Sequence, residues 1–234
     1  MKLYGLFGKG SGKLGSSVFA ISSGEQIVRE YNPVVENPNT PAQVEQRAKF
    51  KLLSQLAADM APAIVIPKQG LVSSRNRFIG LNIGKATYAN NKASVSLEEI
   101  DITAGSFLMG GFEAEKGQGN VVTASYEEGA PQGVTSVVYV AFEKDEEGHM
   151  IYRKSVIVEE AGEGRTFSGN LGVVLGDVVV YAYGIKGDVA GALASYTDYS
   201  ADPASFIANV VATRSEKASG LIFSKSEGRI IKGA

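Results

Sequence analysis

Gly8 to Gly15 reads GKGSGKLG and sets two lysines, Lys9 and Lys13, among glycines near the start of the chain. Backbone N–H groups of a glycine loop, joined by two ammonium groups, can hold phosphate oxygens. The same loop serves equally as a hairpin end, where glycine permits positive φ. Gly10, Gly12 and Gly15 formally match G-x-G-x-x-G, but a dinucleotide site needs a helix directly after the loop to meet the pyrophosphate. Ser16-Ser17-Val18-Phe19 reads as strand, so that arrangement is not expected. A P-loop fails as well: Phe7 stands where its first glycine belongs, and Leu14 where a magnesium-binding Ser or Thr is required. What remains is a basic loop, with Arg29, Arg47 and Lys51 as further candidate anion or subunit contacts and Lys49, Arg75 and Arg77 enlarging the patch if they share its face.

Catalytic chemistry finds little to work with. There is no cysteine, which removes thiolate nucleophiles, thiolate zinc sites and disulfides together. The one histidine, His149, follows Asp145-Glu146-Glu147-Gly148 in what reads as a solvated turn, and no second histidine exists to complete a metal site. Glu98-Glu99, Glu127-Glu128 and Glu159-Glu160 are sequence neighbours, which point to opposite faces of a strand and do not act as an acid/base pair. No G-x-S-x-G elbow presents a serine. No catalytic residue, metal or cofactor is expected.

The elements that would position the cations follow from periodicity. Lys2 to Phe7, Val18 to Ser22 and Gln26 to Tyr31 read as strands joined by glycine turns. Thr40 suits an N-cap, Pro41 suits the first helical position and Gln43 completes a capping box, which predicts a helix from Pro41 to about Met60. Val44, Ala48, Leu52 and Leu56 follow one another at i,i+4, widened by Leu53, Ala57 and Met60 into a core-facing stripe. Gln43, Arg47 and Lys51 share another face, and Glu45 can pair with Lys49. Gly70 to Ala89 reads either as a second short helix or as an irregular cover.

From about Ala93 the pattern changes to short strands: 94–102, 121–126, 135–142, 150–158, 165–170, 177–184 and 192–199, with glycine turns between them. Residues 137–142 and 178–183 are apolar on both faces and should be central strands. Asp202-Pro203 can start a helix over 204–213, and 220–224 with 229–232 can form a last hairpin that completes the domain's own sheet or projects as an arm. The expected class is α+β: a basic hairpin-and-helix module over 1–92, then an acidic immunoglobulin-like antiparallel β-sandwich over 93–234.

Charge divides the same way. Residues 1–100 carry 12 Lys+Arg against 7 Asp+Glu, and residues 101–234 carry 11 against 18, although the whole chain is only −2. Such polarity suits an anionic partner or head-to-tail contact with a second copy. The opening MKLYGLFGKGSGK is too short an apolar run for a signal peptide, and no window approaches the ~20 apolar residues of a membrane span. Synthesis in the cytoplasm without conventional secretion, and no membrane partner, are therefore expected.

Three blocks, G-x-x-SGK-x-G-x-x-V, G-x-x-x-x-R and NP-x-T-x-x-Q-x-x-x-R-x-K-F, lie between Gly8 and Phe50. Together they resemble the opening of an uncharacterised domain family of Bacteroidota and their bacteriophages, closely over the first third and only as a strand-rich pattern beyond it. The resemblance implies a phage context. With no catalytic groups and with extended glycine-rich segments, it leads to the expectation of a virion structural protein, capsid or tail, that self-assembles as a homo-oligomer beside other virion proteins. A nucleic-acid-binding module using the basic loop and helix is the alternative. A glycan-binding sandwich using Tyr88, Tyr126 and Tyr152 is a third reading, disfavoured by the absence of tryptophan.

Overall fold

A computed structural model of the chain describes residues 11–22, 25–33, 39–126, 131–159, 167–174, 176–193, 202–213 and 220–232, which fall into two compact units, Met1–Gln43 and Val44–Ala234. The expected strand over 2–7 lies outside the described residues. In the first unit β1 (Gly12–Leu14), β2 (Ser17–Ser22) and β3 (Glu25–Glu30) form an antiparallel sheet in that order. Gly15, at φ 59°, and Ser16 make the two-residue turn between β1 and β2, where a left-handed residue matches the strand twist. None of the described residues of this unit is buried.

Helix α1 (Pro41–Asp59) begins at the end of the first unit and continues into the second. Thr40 Oγ1 accepts the Gln43 N–H at 3.4 Å, the capping contact expected from this sequence. The reciprocal half of the box is absent, because the Gln43 side-chain oxygen has no hydrogen-bond partner. Leu53, Leu56, Ala57 and Met60 are buried, whereas Val44 at the head of the predicted stripe is 39% exposed. The core-facing part of α1 is thus its C-terminal half. Pro62 lies in a short 3-10 turn, Ala61–Ala63, that ends the run.

The segment left open between helix and irregular structure contains α2 (Ser74–Asn82), capped by Ser73 Oγ, which accepts the Asn76 N–H at 3.3 Å. A small hairpin follows, β4 (Thr87–Ala89) and β5 (Lys92–Ser94), closed by Asn90 and Asn91, both at positive φ. The strand expected over 94–102 does not form beyond Ser94. Instead Leu97–Glu99 is a 3-10 turn, and the following backbone is held by side chains. Buried Asn82 donates to the Phe78 and Asp101 carbonyls and accepts the Asp101 N–H at 2.9 Å, while Ser226 Oγ accepts the Ile102 N–H at 2.9 Å. A segment bonded this way has no ladder partner to make it a strand.

Two antiparallel sheets complete the second unit. One has β6 (Phe112–Lys116), β7 (Val121–Tyr126) and β10 (Phe167–Val173) in the order β10-β7-β6. In the other, β8 (Val134–Lys144) lies between β9 (Met150–Glu159) and β11 (Asp177–Lys186). β8 and β11 are central, as their two-faced apolar pattern requires. Val138, Val140 and Phe142 of β8, with Tyr181 and Tyr183 of β11, join a core with Leu53, Leu56, Phe78 and Ile207. Val137, Tyr139 and Ala141, with Val178 and Val180, join a second core with Phe112, Tyr126 and Phe167. The order of layers is therefore helices, larger sheet, smaller sheet. Because Leu53 and Phe78 share a core with Val138 and Phe142, the division expected at 92/93 falls inside this unit; the units meet at 43/44.

The chain end differs from the expected hairpin. β12 (Ile222–Phe223) and β13 (Glu227–Ile231) do not pair with each other; both pair with β11, along the edge that β8 leaves open. Ser224 bridges them, donating its N–H to the Gly184 carbonyl at 2.9 Å and accepting the Gly184 N–H on Oγ at 2.8 Å. Of the strand expected over 192–199, Ala192 and Leu193 instead end α3 (Val189–Leu193), and the rest lies outside the described residues. Asp188 is the reason: its Oδ1 accepts the Gly191 N–H at 2.8 Å, an N-cap that starts a helical turn. Helix α4 (Pro203–Thr213) forms as Asp202-Pro203 predicts. Asp202 accepts hydrogen bonds from Tyr152 and Ser155, and Ser155 Oγ also accepts the Ala204 N–H at 3.0 Å. Burial opposes the Asp202 charge, but hydrogen bonds from Tyr152, Ser155 and Ser205 outweigh it and hold the carboxyl below its ordinary 3.8.

Burial pushes the phenols of Tyr126, Tyr139, Tyr152, Tyr181 and Tyr183 above their ordinary 10.0. A pKa raised by folding means that the stability these groups contribute is complete below pH 10 and is lost as the pH rises toward the folded values, since the unfolded chain ionises first. In an alkaline titration these tyrosines should gain phenolate absorbance only together with loss of the near-ultraviolet circular dichroism. Their reversible ionisation near pH 10 with that signal intact would contradict the burial.

Candidate functional site

The predicted cations separate between the two units. Lys13 and Arg29 belong to the first, where Val18 pairs with both, so the three stand in one row across the sheet on one face. Lys13 Nζ lies 3.5 Å from the centroid of the Tyr31 ring, a cation–π contact worth roughly 0.5–1 kcal/mol at an exposed site. The described part of the glycine loop is strand β1 and its turn, leading into β2 and not into a helix. Lys9 lies outside the described residues.

The same sheet carries apolar side chains on both faces. Leu14, Phe19, Ile21 and Val28 occupy one face by register, and Val18, Ala20, Ile27 and Tyr31 the other. Leu14 is 73% exposed, and Ile21 and Ile27 are 48% exposed each. Among the described residues of these three strands none is buried, and three strands need a covered apolar face for independent stability. Ile21 and Ile27 stand on opposite faces, so each face exposes a large apolar side chain.

Arg47 and Lys51 lie in the second unit on the outer side of α1. With Gln46, Phe50, Ser54 and, from α2, Arg75, they line a cleft of about 600 Å³. Arg47 and Lys51 are one turn apart, ~6 Å along the helix axis. Phe50 stands between them in sequence with 49% of its surface exposed. Arg75 Nη2 donates to the Ser54 carbonyl at 3.2 Å, which fixes its guanidinium at the cleft wall. No carboxylate lines the cleft among the described residues. Arg77 turns away, donating to the Pro67 carbonyl. Lys49 pairs with Glu45 at 2.7 Å, as their spacing predicts.

At the far end of the cleft Gln55 Nε2 donates to Asp59 Oδ1 at 2.8 Å, and His149 Nδ1 lies 3.3 Å from Asp59 Oδ2. His149 is therefore fastened to the end of α1, not held free in its turn. Met150 N–H donates to the same Asp59 oxygen at 3.3 Å, so the acidic β8–β9 turn is tied down beside the helix. Among the described residues no group of His, Asp and Glu is placed to hold a metal ion.

Sequence reading missed Phe50 as the cleft's aromatic surface and Tyr31 as the partner of Lys13. The first signal was available, since Phe50 sits three residues after Arg47 on a predicted helix. The second was not, because strand register brings Tyr31 to Lys13. No protein-family model matches the chain, and neither a curated protein nor a solved structure matches it.

Proposed function

We propose that the protein is a phage-type structural subunit of a virion, capsid or tail, that self-assembles through its N-terminal sheet. The observation that carries this reading is the β1–β3 sheet, which exposes large apolar side chains on both faces and has no buried residue among those described, whereas the second unit has two cores of its own. Exposed apolar surface on an ordered sheet marks a site of association, and the outer strands of a three-stranded sheet can extend the ladder into another chain. The second unit is a folded body with its own two cores. Its larger sheet, β13-β11-β8-β9, and its smaller one, β10-β7-β6, follow the strand order G-F-C-C′ and E-B-A of an immunoglobulin-like sandwich, and we assign it to that class. Helices α1, α2 and α4 then lie on the outer face of the larger sheet, where such sandwiches commonly meet solvent.

The virion assignment is tested on phage particles purified from a lysate of the strain that carries the gene. Peptides of this chain should be found in the particles by mass spectrometry at the stoichiometry of a structural protein. Abundant chain in the lysate with none in the particles would overturn the assignment.

A further inference from the structure

We propose that the α1–α2 cleft binds single-stranded nucleic acid, with backbone phosphates on Arg47, Lys51 and Arg75 and a base stacked on Phe50. The chemistry of the lining points to this ligand. Three cations line one cleft with no carboxylate among the lining residues, so the walls between Arg47, Lys51 and Arg75 favour an anion, with the acidic Asp59 at the far end. An exposed ring lies within that cationic set, and Gln46 and Ser54 offer hydrogen bonds at its margin. Non-specific single-strand sites combine these two features: a positive groove along the backbone and an aromatic surface that accepts any base. A duplex presents its phosphates but keeps its base faces stacked inside, so Phe50 would have no partner there.

The geometry is also prepared before binding. Arg75 is fixed on the Ser54 carbonyl, and its helix has a capped first turn that adds partial positive charge at the same end. Of the carboxylates nearest in sequence, Glu45 is paired with Lys49, and Asp59 accepts hydrogen bonds from Gln55 and the Met150 N–H at the cleft's far end. This inference is independent of self-assembly, because it uses residues of the second unit only.

The test is fluorescence anisotropy of a labelled oligothymidylate with the full chain, from about 50 mM salt upward, since a chain of net charge −2 gains nothing from long-range attraction. Wild type should bind, with log K falling linearly against log salt. Each cation that neutralises a phosphate on a single strand contributes about 0.7 to that slope. Arg47→Ala/Lys51→Ala should lower its magnitude by about 1.4, and Lys51→Ala alone, which leaves the other interactions of Arg47 in place, by about 0.7. Phe50→Ala should weaken binding roughly tenfold with the slope unchanged. All three variants change exposed or half-exposed positions, and thermal unfolding checks that they remain folded. No binding by wild type at about 50 mM salt would overturn the proposal. So would variants that bind as wild type does. Competition by polyglutamate as strong as by unlabelled oligothymidylate would assign the cleft to an acidic protein segment instead and equally overturn it.

Discussion

Gly105→Ala is expected to lower stability by about 3 kcal/mol or more, at or beyond the upper end of what overpacking a well-packed interior costs. A Cβ built on Gly105 would coincide with the Ser224 carbonyl and the Lys225 nitrogen, which are main-chain atoms with no rotamer to yield. The two segments are laced together there. Ser106 N–H donates to the Phe223 carbonyl at 3.0 Å, Lys225 N–H to the Phe107 carbonyl at 2.7 Å, and Thr103 Oγ1 to the Ser224 carbonyl at 2.6 Å. Moving them apart to admit a methyl group breaks that set and disturbs Ser224, which joins β12 and β13 to β11. For a chain of this size the loss corresponds to a fall in Tm of roughly 6–12 °C. A variant that melts within about 1 °C of wild type would show that these segments do not approach each other this closely.

Phe142→Ala should cost about 3–5 kcal/mol, the range for emptying a buried aromatic site. Phe142 is 0% exposed at the centre of the larger sheet. Its ring stands edge-on to Tyr152, at 5.6 Å, and to Tyr181, at 6.0 Å, an arrangement aromatic quadrupoles favour. Tyr181 donates to the Leu97 carbonyl and Tyr152 bonds Asp202 at the head of α4, so neither ring is free to collapse into the void. Chemical denaturation should show a lower midpoint with an unchanged slope. A loss below about 1 kcal/mol would mean that the helices do not cover this face of the sheet.

Elements written in local residue patterns were legible in the chain. Thr40-Pro41 announced α1, Asp202-Pro203 announced α4, and the doubly apolar run at 137–142 announced a central strand. What local pattern lacks is the identity of distant partners. Residues 95–102 are held by Asn82 and Ser226, one upstream and one far downstream, and no periodicity records that. β6 is not legible from local pattern although Phe112 and Ala114 alternate with Glu113 and Glu115, because a short charged edge strand resembles a loop in composition. The cations divided on the same ground. Arg47 and Lys51 are paired by helical spacing and do share a cleft, whereas the contact of Lys13, a candidate anion or subunit contact, with Tyr31 across the sheet is set by strand register.

Adhesion, too, is assigned differently. Charge polarity along the chain suggested contacts that salt would weaken, yet the β1–β3 sheet also exposes large apolar side chains among its charged ones, with Ile21 on one face and Ile27 on the other. Apolar contact is insensitive to the shortening of the Debye length from ~10 Å at 0.1 M to ~3 Å at 1 M. Sedimentation velocity of the full chain at both salt concentrations, for wild type, Ile21→Asp and Ile27→Asp, therefore tests assembly through this sheet most directly. Wild type should sediment as a multimer at 0.1 M and at 1 M salt, and an aspartate on the contacting face should convert it to monomer while the second unit keeps its melting temperature. A wild type that is monomeric at both concentrations, or a multimer that survives both substitutions, would contradict assembly through the N-terminal sheet.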